Sequence, residues 1–133
     1  MLSLPPSVRI FLARDAVDCR KAFDGLCQVV RDVFGDDPFS GALFLFFNRR
    51  RNRVKVLVWD ENGFWLFAKR LERGTFGVLD VEGRKGEARV QIARAELSML
   101  LEGIDRKSAR FRKHFVRAVR LQRRDEHAGS PSR

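Results

Sequence analysis

Between Leu43 and Arg70 three apolar runs follow one another, separated only by short polar links. Leu43 to Phe47 is apolar throughout, as expected of a strand covered on both faces. Val54 to Trp59 and Phe64 to Arg70 are rich in β-branched and aromatic residues, and read as the second and third strands. Asp60-Glu61-Asn62-Gly63 fits a hairpin loop, with Gly63 expected at its positive-φ position. The first link carries Arg49, Arg50, Arg51 and Arg53. A three-stranded antiparallel meander with a positive rim is therefore the expected centre of the fold.

The flanking sequence supplies fewer but recognisable elements. Val8 to Ala13 reads as a short strand after the irregular Pro5-Pro6 start. Asp18 is the expected N-cap of a helix over residues 19–34, whose Phe23, Leu26, Cys27, Val30 and Phe34 repeat at helical spacing. Gly25 within it predicts tight packing or a bend, and Gly35 before Pro38 predicts the stop. Residues 80–87 read as a loop or a strand pair joined through Gly83 to Gly86, and Arg89 to Ile92 as a last strand. Arg94 to Gly103 reads as a short helix with Leu97, Leu100 and Leu101 on one side, ending at Gly103. Lys107 to Arg124 is a candidate basic amphipathic helix with a Phe111, Phe115, Val119 stripe, and the last five residues are expected to be disordered. The expected class is α+β: a mainly antiparallel sheet with a central meander, two packing helices, and a basic tail. Residues 1–105 would form one domain and residues 106–133 the tail.

Charge is placed unevenly. The net charge is +10; residues 48–74 carry eight basic and three acidic groups, and residues 106–133 carry ten and two. Localised positive charge favours a polyanionic partner over a general solubility role. Cys19 and Cys27, read as two turns apart on one helix, would lie about 12 Å apart, too far for a disulfide. No apolar run is long enough to span a bilayer. These features predict a reduced, cytoplasmic protein with no membrane partner.

Catalytic chemistry is poorly supplied. Both histidines, His114 and His127, lie in the tail away from any metal-ligand spacing, and tyrosine is absent. The serines have no histidine partner in the expected core, and no glycine-rich phosphate loop occurs. Asp18, Asp24, Asp60 and Glu72 have simpler roles as cap, helix surface, turn and ion-pair residues. No catalytic residue, metal or cofactor is therefore expected.

The basic residues form the candidate site. In a meander the end of the third strand returns beside the start of the second, so Lys69 and Arg70, with Arg73 just beyond them, would approach Arg53 and Lys55, while Arg49, Arg50 and Arg51 crowd the connection before the second strand. Like charges set opposite one another are destabilising until a counter-charge arrives. A phosphate backbone would supply it; a merely solvated, charge-protected sheet edge is the alternative. Trp59 and Trp65 flank the turn, where cross-strand packing is the favoured reading over a base-stacking platform. The basic tail fits nucleic-acid binding and solubility equally.

Asp18-Cys19-Arg20-Lys21-Ala22-Phe23-Asp24-Gly25-Leu26, then Asp37-Pro38-Phe39-Ser40-Gly41, resembles the TnpB accessory proteins of the insertion sequence sixty-six family. The likeness continues through Lys55-Val56-Leu57, Trp59-Asp60, Gly63, Leu66 and Lys69-Arg70-Leu71-Glu72-Arg73-Gly74-Thr75-Phe76 to Leu100-Leu101-Glu102-Gly103-Ile104-Asp105. It covers roughly residues 4–105. Cys19 stands where the family typically has Met, and the tail is longer and more basic than the pattern requires. The resemblance implies a bacterial mobile-element protein, encoded beside a separate transposase, that assists DNA transposition. It carries over no catalytic residue. The expected partners are DNA, as element ends or non-specific duplex, and alternatively the transposase itself, met through Pro38–Gly41 and the Trp59–Gly63 turn.

Overall fold

A computed structural model describes residues 7–80 and 88–104 of the chain. The strands are β1 (Ile10–Ala13), β2 (Leu43–Phe47), β3 (Arg53–Asp60), β4 (Gly63–Arg70), β5 (Thr75–Phe76), β6 (Arg89–Ile92) and β7 (Gly103–Ile104). The helices are α1 (Phe23–Val29), prolonged by a π turn over Val30–Phe34, and α2 (Arg94–Leu101). One five-stranded sheet runs in the order β4-β3-β2-β1-β6, and β5 and β7 form a small second sheet. Among the described residues only β1 and β2 are parallel neighbours, joined through α1, and the other pairings are antiparallel. The class is α+β, and the expected meander β2-β3-β4 forms one side of the main sheet.

Alternation along the strands divides the apolar residues between two faces. On one face Phe11, Ala13, Phe44, Phe46 and Leu57 pack with Leu26, Cys27 and Val30 of the α1 segment. On the other, Ile10, Leu12, Leu45, Phe47, Val54, Val58, Val90 and Ile92 pack with Phe76 and Leu100, and Leu97 and Leu101 join them. The sheet is thus the middle layer between α1 and α2. This explains why all five residues of β2 are buried: it is an interior strand with a helix over each face. Phe34 extends the α1-side core by stacking on Phe46 at 5.8 Å, and Phe11 stacks on Phe44 at 5.9 Å.

Several local expectations need correction. The helix starts at Phe23 rather than residue 19, with Ala22 extended at φ −114° and no side-chain cap. Asp18 is not its N-cap. Its carboxylate accepts the Arg20 backbone N–H at 2.9 Å and the Arg20 guanidinium at 2.9 Å, holding a turn ahead of the helix. Such local side-chain bonds compete with helix formation. Together they hold the Asp18 carboxyl down at about 2. Cys19 consequently lies in this turn and not on the helix with Cys27. Gly25 is a close-approach position: a Cβ there would come within 3.1 Å of the Lys21 Cβ.

The helix stop behaves as expected, with Gly35 at φ +70° donating its N–H to Val30 O. In the β3–β4 hairpin it is Glu61, at φ 59°, that takes the left-handed conformation, and not Gly63. Gly63 is instead the first residue of β4, paired with Asp60. Gly103 does not end α2: Glu102 is the C-cap, and Gly103 opens β7 beside Phe76. α2 starts on half a capping box, the Glu96 carboxylate accepting the Ala93 N–H at 2.8 Å. The expectations for residues 81–87 and for the tail beyond Ile104 lie outside the described residues.

Both cysteines are buried, and burial pushes both thiols above their usual range. The thiolate is the reactive form. In mildly alkaline buffer, Ellman's reagent should therefore label the native protein at least about tenfold more slowly than the urea-unfolded chain. Equal labelling rates would contradict this placement of Cys19 and Cys27.

Candidate nucleic-acid interface

The register between β3 and β4 decides where the basic residues go. Arg53 lies directly opposite Arg70, Val54 opposite Lys69 and Lys55 opposite Ala68. Beyond the strands, Leu71 donates its N–H to Asn52 O at 2.8 Å and Phe76 donates to Arg51 O at 2.8 Å. The chain leaving β4 therefore runs back along the β2–β3 loop. Arg49, Arg50, Arg53, Lys69, Arg70 and Arg73 are all exposed and gather at this one end of the sheet.

The β2–β3 loop is built by Asn48. Its side-chain oxygen accepts the backbone N–H groups of Asn52 and Arg53, both at 3.0 Å, and its amide donates to the Asn52 side chain at 2.8 Å. This closes a tight loop that presents Arg49 and Arg50 at its tip. Arg51, at φ 58°, turns the other way. Its guanidinium lies over the Phe47 ring, 4.3 Å from the centroid, and donates to Gly77 O. Its Nε is buried with no hydrogen-bond partner among the described residues, and burial lowers its pKa from the ordinary arginine value. Arg51 is thereby a structural tether between the loop and the β5 segment.

The remaining cations divide between the two faces of the sheet. Arg53, Lys55 and Arg70 lie on the α1 face, because they alternate in phase with Leu57 and Leu66 of that core. Lys69 lies on the α2 face, with its ammonium 6.0 Å from the Phe76 ring centroid. A groove of about 300 Å³ opens between the ends of β3 and β4, lined by Cys19, Arg53, Val54, Lys55, Ala68, Lys69, Arg70 and Glu72. Lys55 crosses its floor to donate to Lys21 O at 2.7 Å. Among the described residues the one carboxylate in the lining is Glu72, paired with Arg70 at 3.0 Å, with both side chains largely exposed. An exposed pair of this kind contributes little and leaves most of the positive charge in place.

Trp59 and Trp65 fall on opposite faces and form neither a shared stacking platform nor a cross-strand pair. Trp59 opposes Phe64, and its ring meets those of Phe64 at 5.0 Å and Phe39 at 4.9 Å, both edge-on. Trp65 instead stacks on Phe67, with rings 8° from parallel, and donates its indole N–H to Asp60 at 2.9 Å. The Phe39–Trp59–Phe64 cluster was only partly legible in the sequence, since Phe39 reaches it from a separate turn. That turn is set by Asp37, which accepts the Phe39 N–H, and by Gly41 at φ 87°. Among the described residues no three His, Cys, Asp or Glu side chains gather closely enough to hold a metal ion, and no helix is long and apolar enough to cross a membrane.

The contrast between Arg51 and its neighbours is measurable. Arg51→Ala removes packing on Phe47 and a partly buried hydrogen bond, and should lower unfolding stability by about 1–3 kcal/mol. Arg49→Ala and Arg50→Ala should stay within about 0.5 kcal/mol of the parent in urea titrations. Equal losses at all three positions would contradict the inward placement of Arg51.

Comparison with known proteins matches the chain to a described family. A family model described as "IS66 Orf2 like protein" covers residues 8–111. An uncharacterized Sinorhizobium fredii protein, y4hO, is 38% identical over 105 residues, which is 79% of this chain and 88% of that protein. A second from the same organism, y4jC, is 30% identical over 105 residues, covering 79% and 86% of the two chains. No solved structure matches. With nearly the whole described region and most of both relatives aligned, the chain belongs to the IS66 Orf2-like family of insertion-sequence accessory proteins.

Proposed function

We propose that this insertion-sequence accessory protein assists transposition without catalysis, by binding DNA phosphates along the rim built from the β2–β3 loop and the end of β4. The observation that carries the reading is the direct opposition of Arg53 and Arg70 next to Lys55, with Glu72 the only carboxylate among the described residues that line their groove. Like charges across a strand pair are destabilising by some tenths of a kcal/mol, and a phosphate between them reverses the sign. Arg49 and Arg50 extend the same positive surface from the loop tip, while Lys69 and Arg73 border it. Arg51 supports the rim from inside, so the phosphate contacts fall to Arg49, Arg50, Arg53, Lys69, Arg70 and Arg73, with Lys55 at the groove floor. Phosphate contacts position a protein on a duplex and carry no sequence information by themselves. Any preference for element ends would therefore require contacts beyond this rim.

A second reading draws on the aromatic cluster at the opposite end of the hairpin. Phe39 is 48% exposed although its ring touches both Trp59 and Phe64. A half-exposed aromatic trio on two adjoining turns suits a protein contact, and the element's transposase is the natural candidate. Capture of the transposase that survives nuclease treatment, and is lost in Phe39→Ser, would favour this role.

The two readings separate in a salt series. Duplex affinity should fall with rising salt, and each neutralised rim contact removed should flatten the log–log slope by about 0.9. The combined change Arg49→Glu, Arg50→Glu and Arg53→Glu should abolish DNA retention in a gel-shift assay. Undiminished binding by that variant would defeat the DNA reading.

A further inference from the structure

Among the described residues β4 is a terminal strand of the main sheet, with β3 as its one neighbour. Natural sheet edges are usually guarded by proline, bulges, brevity or charges distributed along the strand. β4 has eight residues, and its pairing with β3 runs unbroken from Asp60↔Gly63 to Arg53↔Arg70, so it is neither short nor bulged. From Gly63 to Ala68 it contains no proline and no charge. Phe64 and Leu66 point to one face and Trp65 and Phe67 to the other, and none of the four is fully buried. Trp65 is 44% exposed and Phe67 38%. A strand that is apolar on both faces and open along one edge has the composition of an interior strand.

We propose that β4 pairs antiparallel with the β4 of a second copy of this chain, joining two five-stranded sheets into one. Charge complementarity identifies the occupant. The turn leading into β4 carries acidic Glu61, and basic Lys69 and Arg70 stand at the far end of the strand. In antiparallel pairing about a twofold axis at Trp65, Gly63 opposes Phe67 of the second copy, so Lys69 of each copy runs past the start of the other β4 to the turn that carries Glu61. The same register sets Phe64 against Leu66 and brings the two Trp65 side chains together on the axis. Parallel pairing would set like charges together and is disfavoured. The contact is self-complementary, as a closed twofold dimer requires. It uses the outer edge of β4 and leaves Arg49, Arg50 and Arg53 at the two far ends of the joined strands; it shares Lys69 and Arg70 with the proposed DNA rim, and a readout without nucleic acid keeps the two apart.

The test uses the full chain without nucleic acid, in sedimentation velocity across a concentration series. The parent should show a concentration-dependent monomer–dimer equilibrium. Lys69→Glu and Glu61→Lys should each weaken self-association at least about tenfold, since each brings like charges near one another twice per dimer. An equimolar mixture of the two variants should restore parent-like dimerisation, because both unlike pairs then re-form. That restoration also shows that both variants are folded. A parent monomeric at every concentration, a dimer indifferent to both substitutions, or a mixture that stays monomeric would each overturn the proposal.

Discussion

Register between β3 and β4 is the constraint on which the rest of the molecule depends. Leu57, Phe64 and Leu66 must face the α1 core, and Val54 and Val58 must face the α2 core. A slip of one residue would turn every one of these side chains to the wrong face. Burial of that apolar surface therefore pins the pairing, and the pairing in turn sets Arg53 against Arg70. The electrostatic discomfort at the rim is a consequence of the core, and it is tolerated because the core term is larger. Several buried side chains, at about 1.5–3 kcal/mol each, outweigh one exposed like-charge pair.

The loop that crowns this rim shows how one residue type takes two roles within three positions. Arg49 and Arg50 stand in solvent at the tip of a turn closed by Asn48. Arg51 adopts a left-handed backbone, lays its guanidinium on Phe47 and reaches Gly77. That inward arginine, with the Phe76 N–H on Arg51 O, fastens the segment after β4 to the loop. It thus helps bring Lys69, Arg70 and Arg73 alongside the loop arginines. The inward and the solvent-facing arginines are neighbours because the first holds the second in place.

The meander was legible because strand runs, turn residues and alternation agreed over Leu43–Arg70, and the opposition of Arg53 and Arg70 followed from simple counting along the hairpin. Legibility ended where a side chain competes with the backbone. Asp18 reads as a cap, yet its capture of Arg20 spends the carboxylate on a preceding turn and delays the helix to Phe23. Gly63 reads as the positive-φ residue, whereas Glu61 adopts that conformation and Gly63 enters β4. Nothing in a run of consecutive arginines distinguishes Arg51, because its partners Phe47 and Gly77 are known only once β2 and the β5 segment meet. The opposite facing of Trp59 and Trp65 could have been found by parity, since Trp59 pairs with Phe64 and Trp65 lies one residue further along the strand.

The central claim is that core packing forces arginines together at a rim that a polyanion then relieves. Thermal unfolding of Arg53→Ser with and without a short DNA duplex tests it most directly. The account predicts a variant at least as stable as the parent when free, but with a markedly smaller rise in melting temperature on adding the duplex. A free variant clearly less stable than the parent, or one that keeps the full duplex-induced rise, would contradict it.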